Sequence, residues 1–137
     1  LKFEAGTPHY IGAITLGRAI EYVRDIGIQN IIDHEHHLIE YAGKKLGQTD
    51  KLTIFGTAAE KTGSISFLLE GVHHYDTGMI LDKMGIAVRT GSHCTEPVMK
   101  FFDITGTVRA SFAVYNTTDE IDLLCEGIEK VRKMFLS

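Results

Sequence analysis

The sequence predicts an α+β domain in which helices cover one small sheet. Two stretches near the start and one at the end repeat apolar residues at helical spacing. Between them lie short runs that alternate in polarity and are rich in β-branched and aromatic residues. The chain has 137 residues, 44% of them hydrophobic, which is enough for one compact domain with its own core.

The first third of the chain predicts two successive helices. Apolar residues recur at helical spacing from Gly12 to Ile26, and Gly27 supplies a left-handed stop. Asn30 is suited to cap a second helix that ends at Gly47. The apolar stripe of this second helix comprises Ile31, Ile32, Leu38, Ile39, Ala42 and Leu46. We expect the two helices to pack together.

The middle of the chain predicts two strands, a helix and a further short strand. Residues 52–55 and 64–69 alternate as neighbouring strands do. A helix is expected over residues 73–84, ended by Gly85, and residues 86–88 predict a brief strand that runs into a polar turn.

The last third predicts a strand followed by a long helix. Residues 108–114 alternate, which places Arg109 on the face opposite the apolar side chains. Thr117 and Glu120 have the spacing of a capping box at the start of the final helix. The apolar stripe of that helix comprises Ile121, Leu124, Cys125, Ile128, Val131 and Phe135. By position, Cys125 is therefore a core residue.

Composition and charge narrow the classes of function. The net charge is -4, and no concentrated run of Lys and Arg predicts binding to nucleic acid or to an anionic membrane. No stretch approaches the roughly 20 apolar residues that span a bilayer, and the start lacks a secretory signal. Two widely spaced cysteines suit a reducing compartment, so we expect a soluble, cytoplasmic protein. Residues 1–8 read as an interior segment, which predicts a piece of a longer protein.

Cys94 lies in the segment that most suggests chemistry. It follows Arg89 and His93 in a polar turn, and nearby cationic groups favour the thiolate, the form in which cysteine acts as a nucleophile. Gly91 lets the chain bend so that the sulfur projects outward. The alternative is a buried structural cysteine, which the polar neighbours make less favoured.

Histidine-rich motifs offer competing functions. Residues 33–37 (DHEHH) could suggest a metal site, but on a helix His34 and His37 share a face while His36 points away. A solvated helix face is the favoured interpretation, with no metal. The pair His73 and His74 is likewise expected at the surface or as a helix cap.

Two hydrolytic functions fit Cys94 poorly. A cysteine phosphatase carries an arginine at the position where this chain has Lys100, and lysine lacks the planar fork that cradles phosphate. A papain-like hydrolase needs a histidine across the site, whereas the adjacent His93 alternates away from Cys94 in an extended turn.

Three segments of the chain form a recognisable set. They are residues 3–8 (FEAGTP), residues 85–94 (GIAVRTGSHC), and residues 109–117, in which RASF is followed by YNT. Together they resemble the SufS-type (group II) cysteine desulfurases and selenocysteine lyases. The resemblance covers nearly the whole chain and identifies residues 1–137 as a C-terminal small domain of that family, without the large cofactor-binding domain. It implies an aspartate aminotransferase-like fold (fold-type I), a pyridoxal 5'-phosphate cofactor and a homodimer.

The resemblance also implies a reaction and roles for particular residues. Members of the family remove sulfur from L-cysteine, or selenium from L-selenocysteine, leave alanine, and pass the sulfur to an acceptor protein, as in iron–sulfur cluster assembly. By resemblance, Cys94 is the nucleophile that holds the sulfur as a persulfide. Arg109 is the residue that grips the substrate carboxylate. Arg89 and His93 border the substrate.

The remaining parts of the implied site are incomplete. Thr7, with Gly6, matches the residue that reaches the cofactor phosphate of the partner subunit, and Ser92 stands where many relatives have a second histidine. No segment resembles the motif of the lysine that forms the Schiff base, so we expect this fragment to be inactive alone. The alternative function is a free-standing carrier or interaction domain, in which Cys94 accepts a persulfide without any cofactor.

Overall fold

The computed structural model describes residues 2–135. These fall into two compact units, Leu1–Asp33 and His34–Ser137, and the boundary lies inside the second helix. No helix in the described part of the chain has the length and apolar character needed to cross a bilayer.

The first unit contains helix α1 (Tyr10–Ile26) and the start of helix α2 (Ile28–Leu46). The helices are separated by Gly27, as predicted, which has a φ of 90° and donates its N–H to the carbonyl of Val23. The predicted role of Asn30 is wrong. Its amide donates to the carbonyl of Ile26 at 2.7 Å, so Asn30 lies within α2 and satisfies the end of α1 instead.

The apolar stripe of α1 is exposed. None of the residues of α1 is buried. The exposed side chains include Tyr10, Ile11, Ile14, Leu16, Ile20, Tyr22 and Val23.

The second unit is built on a four-stranded antiparallel sheet in the order β1-β2-β4-β3. Its strands are β1 (Leu52–Phe55), β2 (Ser64–Leu69), β3 (Arg89–Gly91) and β4 (Thr107–Ser111). The helices that follow α2 are α3 (His74–Lys83), α4 (Glu96–Phe101) and α5 (Thr118–Phe135). The predicted α+β class is confirmed.

The two faces of the sheet differ in chemistry. Alternate residues of β2 and β4 enter the core, where Phe67 and Val108 are fully buried. The helices supply the other half of this core through Ile39, Leu46, Leu81, Leu124, Ile128 and Val131. Burying each such side chain stabilises the fold by about 1.5–3 kcal/mol. The residues between them, including Ser64, Ser66 and Arg109, lie on the opposite face.

Two predicted strand boundaries are wrong. The strand expected at residues 86–88 is displaced to Arg89–Gly91, because the N–H of Ile86 donates to the carbonyl of Leu81 and closes the end of α3. Strand β4 ends at Ser111 rather than at residue 114. The N–H of Ala113 is taken by the side chain of Asn116, which turns the chain out of the sheet.

The predicted start of α5 is confirmed. The N–H of Thr117 donates to the Glu120 carboxylate at 2.9 Å, and the N–H of Glu120 lies 3.4 Å from the Thr117 hydroxyl. Hydrogen bonds from the Asn116 amide and from the Thr117 N–H hold the pKa of Glu120 below its ordinary value. Cys125 is half-buried and packs against the core, and burial raises the pKa of its thiol.

Candidate functional site

Cys94 is displayed in a tight turn between β3 and α4. Both His93 and Cys94 have left-handed backbone conformations, with φ values of 55° and 60°. Residues with a Cβ rarely adopt this conformation. Thr95 closes the turn, since its N–H and its hydroxyl both donate to the carbonyl of Ser92, at 2.9 and 2.7 Å. The thiol of Cys94 is free and exposed, so the interpretation as a buried structural cysteine is wrong.

His93 turns its ring toward the sheet. Its Nε2 lies 2.9 Å from the hydroxyl and 3.2 Å from the carbonyl of Thr107. Its Nδ1 is buried and has no hydrogen-bond partner within residues 2–135. Burial lowers the pKa of His93 below its ordinary value, and the positive charges of Arg109 and Arg89 lower it further. The imidazole is therefore neutral near pH 7.

Arg109 occupies the centre of the polar face, as its position in the strand predicted. In the sheet register it stands between Ser66 of β2 and Arg89 of β3. Its guanidinium Nε is buried and finds no partner in the described residues. A buried donor without a partner costs free energy, which an anionic group placed beside it would recover.

A cleft of about 340 Å³ opens over this polar face. His93, Thr95, Thr107 and Arg109 line it, together with Phe55, Gly56, Ser64, Ser66, Val98, Met99, Phe102 and Ile104. Cys94 lies in the chain between two of these lining residues, His93 and Thr95. The cleft brings together His93 and Arg109, two of the residues singled out from the sequence, and Cys94 follows His93 directly in the chain. Arg89 is exposed and adjoins Arg109 on the neighbouring strand.

The other predicted site residues lie in the first unit. Gly6 and Thr7 form an exposed bend just before α1. A threonine hydroxyl and backbone N–H groups suit an anion such as a phosphate.

Two buried residues beside the site escaped the sequence analysis. In the sequence, Thr107 resembles an ordinary strand residue. Its hydrogen bond to His93 could not be predicted, because the two residues lie far apart in the chain. His74 was expected at the surface but is only 4% exposed. Burial lowers its pKa, and the nearby His73 and His93 lower it further. His73 itself caps α3 as predicted, by accepting the N–H of Tyr75.

The histidines of residues 33–37 serve the structure of α2. His34 is half-buried, and its Nε2 contacts the carbonyl of Asn116 at 3.0 Å. This residue does not belong to a solvated face, contrary to expectation. His36 is exposed and pairs with Glu40 at 3.2 Å. Within residues 2–135, no group of three His, Cys, Asp or Glu side chains is arranged to hold a metal ion.

Comparison with known proteins identifies the family. Residues 1–124 match the family model described as aminotransferase class-V. The chain belongs to that family. Among relatives of this class-V aminotransferase domain, a probable cysteine desulfurase of Halalkalibacterium halodurans is 46% identical over 134 residues, which are 98% of this chain and 33% of the relative. A probable cysteine desulfurase of Streptomyces coelicolor is 49% identical over 136 residues, covering 98% of this chain and 32% of the relative.

Solved structures agree with the sequence matches. The apo cysteine desulfurase from Thermococcus onnurineus NA1 superposes with a TM-score of 0.91 at 40% identity, covering 96% of this chain and 33% of that one. The cysteine desulfurase CsdA from Escherichia coli superposes with a TM-score of 0.90 at 32% identity, covering 98% and 33%. The domain therefore has the fold of a portion of these enzymes, and it spans about a third of their length.

Proposed function

We propose that this chain is the C-terminal small domain of a SufS-type cysteine desulfurase, in which Cys94 takes the sulfur of L-cysteine and holds it as a persulfide. The observation that carries the proposal is the exposed thiol of Cys94, whose chain neighbours His93 and Thr95 line the same cleft as Arg109. The similarity to longer proteins named cysteine desulfurases supports it. A free-standing carrier is not favoured, because the chain matches only about a third of those relatives.

Arg109 is the group that would bind the substrate. A guanidinium binds a carboxylate through two parallel charge-assisted hydrogen bonds. The buried, unpartnered Nε of Arg109 is a donor that such a carboxylate would satisfy. Ser66 adjoins Arg109 in the sheet and adds a hydroxyl to the same polar floor. Binding of the carboxylate by Arg109 would fix the position of the amino acid and leave its side chain free to approach the thiol of Cys94.

Cys94 would carry out the sulfur transfer. Its thiolate forms a new S–S bond with the substrate sulfur while the bond between that sulfur and Cβ breaks. The electron pair of the broken bond goes to the organic fragment, which takes up a proton and leaves as alanine. The sulfur remains on Cys94 as a persulfide, and the exposure of this residue makes it accessible to an acceptor protein.

Pyridoxal 5'-phosphate is the cofactor that this reaction requires. When bound, it supplies the electron sink that allows the bonds at Cα and Cβ of the amino acid to be broken. The residues lining the cleft include no lysine, and the resemblance to the family implies that the Schiff-base lysine lies in the large cofactor-binding domain. Thr7 and Gly6 supply a hydroxyl and backbone donors that suit the cofactor phosphate of a partner subunit in a homodimer.

The proposal extends to substrate range and location. L-selenocysteine has the same carboxylate for Arg109 to bind and would enter the same cleft, with selenium in place of sulfur. An exposed thiol that must stay reduced between turnovers suits the cytoplasm.

The proposal is tested by comparing the two cysteines in the full-length protein. With pyridoxal 5'-phosphate and L-cysteine, Cys94→Ala should lower the rate of alanine formation by at least about a hundredfold, because the sulfur acceptor is lost. Cys125→Ala, a half-buried position, should keep catalytic activity and lower stability by about 1–2 kcal/mol. Equal catalytic losses in the two variants would contradict the assignment.

A further inference from the structure

His93 makes a contact that substrate binding does not explain. Its Nε2 faces both the hydroxyl and the carbonyl of Thr107, a buried residue of β4. We propose that Thr107 is a positioning residue that acts through His93 to hold the Cys94 turn against the cleft. The inference rests on the proposed role of Cys94 and adds to it the device that keeps the thiol in place.

The turn needs such an anchor because its backbone is strained. His93 and Cys94 occupy the left-handed region in succession, and neither is a glycine. The bonds from Thr95 to Ser92 close the turn upon itself but do not attach it to the sheet. Among the side-chain hydrogen bonds of residues 2–135, those from His93 to Thr107 join this turn to β4.

The two contacts with Thr107 bear on which ring nitrogen of His93 carries the proton. A carbonyl oxygen can only accept, so its contact with Nε2 of His93 favours the tautomer in which Nε2 carries the proton and donates it toward Thr107. The Nδ1 then keeps its lone pair in a buried position without a partner. Burial and the charges of Arg109 and Arg89 oppose a second proton on the ring. A neutral ring in one tautomer makes a fixed anchor, and the Thr107 hydroxyl is the side-chain group that contacts it.

Thr107 also fixes the backbone that leads into the turn. It pairs with Gly91, the last residue of β3, in the antiparallel ladder. Gly91 precedes Ser92, where the turn begins. One residue of β4 therefore holds the turn at two points, through the ladder at its start and through the His93 ring beside Cys94.

The experiment compares Thr107→Val with Thr107→Ser in the full-length protein. Valine keeps the shape of threonine and removes the hydroxyl, whereas serine keeps the hydroxyl and removes the methyl group. With cofactor and L-cysteine, Thr107→Val should lower kcat for alanine formation about three- to tenfold, as expected for one lost hydrogen bond. The KM should stay within about twofold, because Arg109 still binds the carboxylate. Thr107→Ser should restore kcat, and Thr53→Val, on the exposed side of β1, should change neither constant.

A second readout does not depend on catalysis. In protein labelled with ¹⁵N-histidine, the ring nitrogens of His93 should report the Nε2–H tautomer in the wild type and in Thr107→Ser. In Thr107→Val, which keeps the carbonyl contact and loses the hydroxyl, the Nε2 signal of His93 should move away from its wild-type value. Unchanged His93 signals and wild-type kcat in Thr107→Val would overturn the inference, as would a Thr107→Ser variant as slow as Thr107→Val. If the wild type formed no alanine, the proposed function would fail, and the nitrogen signals alone would still support or overturn the anchor.

Discussion

His74 and His93 are imidazoles that the fold keeps neutral. Both have a buried Nδ1 without a partner in the described residues, and burial is the main cause that lowers the pKa of each. The positive charge of Arg109 lowers the pKa of His93 further. His73 and His93 lower the pKa of His74 further, because protons on neighbouring imidazoles repel one another. In the unfolded chain both rings would titrate near 6.5.

This difference predicts a loss of stability in mild acid. Below pH 6.5 the unfolded chain takes up protons that the folded chain does not, so the free energy of unfolding falls as the pH drops toward the lowered folded values. His74→Gln should weaken this pH dependence between pH 7 and pH 5, measured by urea denaturation of the full-length protein. His37→Gln, on the exposed side of α2, is the matched control and should keep the wild-type dependence. A dependence in His74→Gln as steep as in the wild type would show that His74 is not responsible.

At the residue scale, the sequence predicted those residues whose character is evident from their neighbours in the chain. Cys94 stands among polar residues, and Arg109 alternates away from the apolar face of its strand, so both were found. Thr107 and His74 were missed because each resembles its local type, a β-favouring residue and a helix-start residue. Only the tertiary approach of β3, β4 and α3 gives them their contacts.

At the element scale, β3 packs closely against its neighbours at two positions that are occupied by glycine. A Cβ added to Gly106 would lie 2.6 Å from Nε2 of His74 and 2.7 Å from the carbonyl carbon of Gly91. Similarly, a Cβ on Gly78 of α3 would collide with the side chain of Thr90. These two glycines allow β3 to approach α3 and the start of β4, and so they set the position from which the Cys94 turn leaves the sheet.

This packing predicts that Gly106→Ala is destabilising. The added methyl group meets backbone on one side and a buried ring on the other, so the cost should be about 1–3 kcal/mol. Gly43→Ala, on α2, meets nothing within 4 Å and should be neutral or slightly stabilising, because alanine favours a helix. Urea denaturation of the two variants measures the difference. Equal stabilities would mean that β3 can move away without cost.

The elements themselves were predicted unevenly, for physical reasons. Helix α5 and strands β1 and β2 have strong periodicity and clear ends, and their ranges were correct. Helix α4 was missed, although Glu96 and Pro97 form a typical helix start, because six residues are too few for a period to show. The apolar stripe of α1 is exposed, and an apolar pattern alone does not specify what covers it.

At the scale of the whole molecule, the proposed function assigns part of a catalytic site to this domain. It carries an exposed thiol at Cys94 and, in the cleft, a buried guanidinium donor on Arg109, and the residues that line this cleft include no lysine. It spans about a third of the cysteine desulfurases to which it is similar. The proposed reaction therefore belongs to the longer protein, with the sulfur held on this domain.

The most direct measurement is to locate that sulfur. The full-length protein is loaded with cofactor, exposed briefly to L-cysteine, alkylated and digested, and its peptides are weighed by mass spectrometry. The account predicts one extra sulfur atom on the peptide that contains Cys94 and none on the peptide that contains Cys125. Alanine formation with the extra sulfur on any other residue, or with none on Cys94, would contradict it.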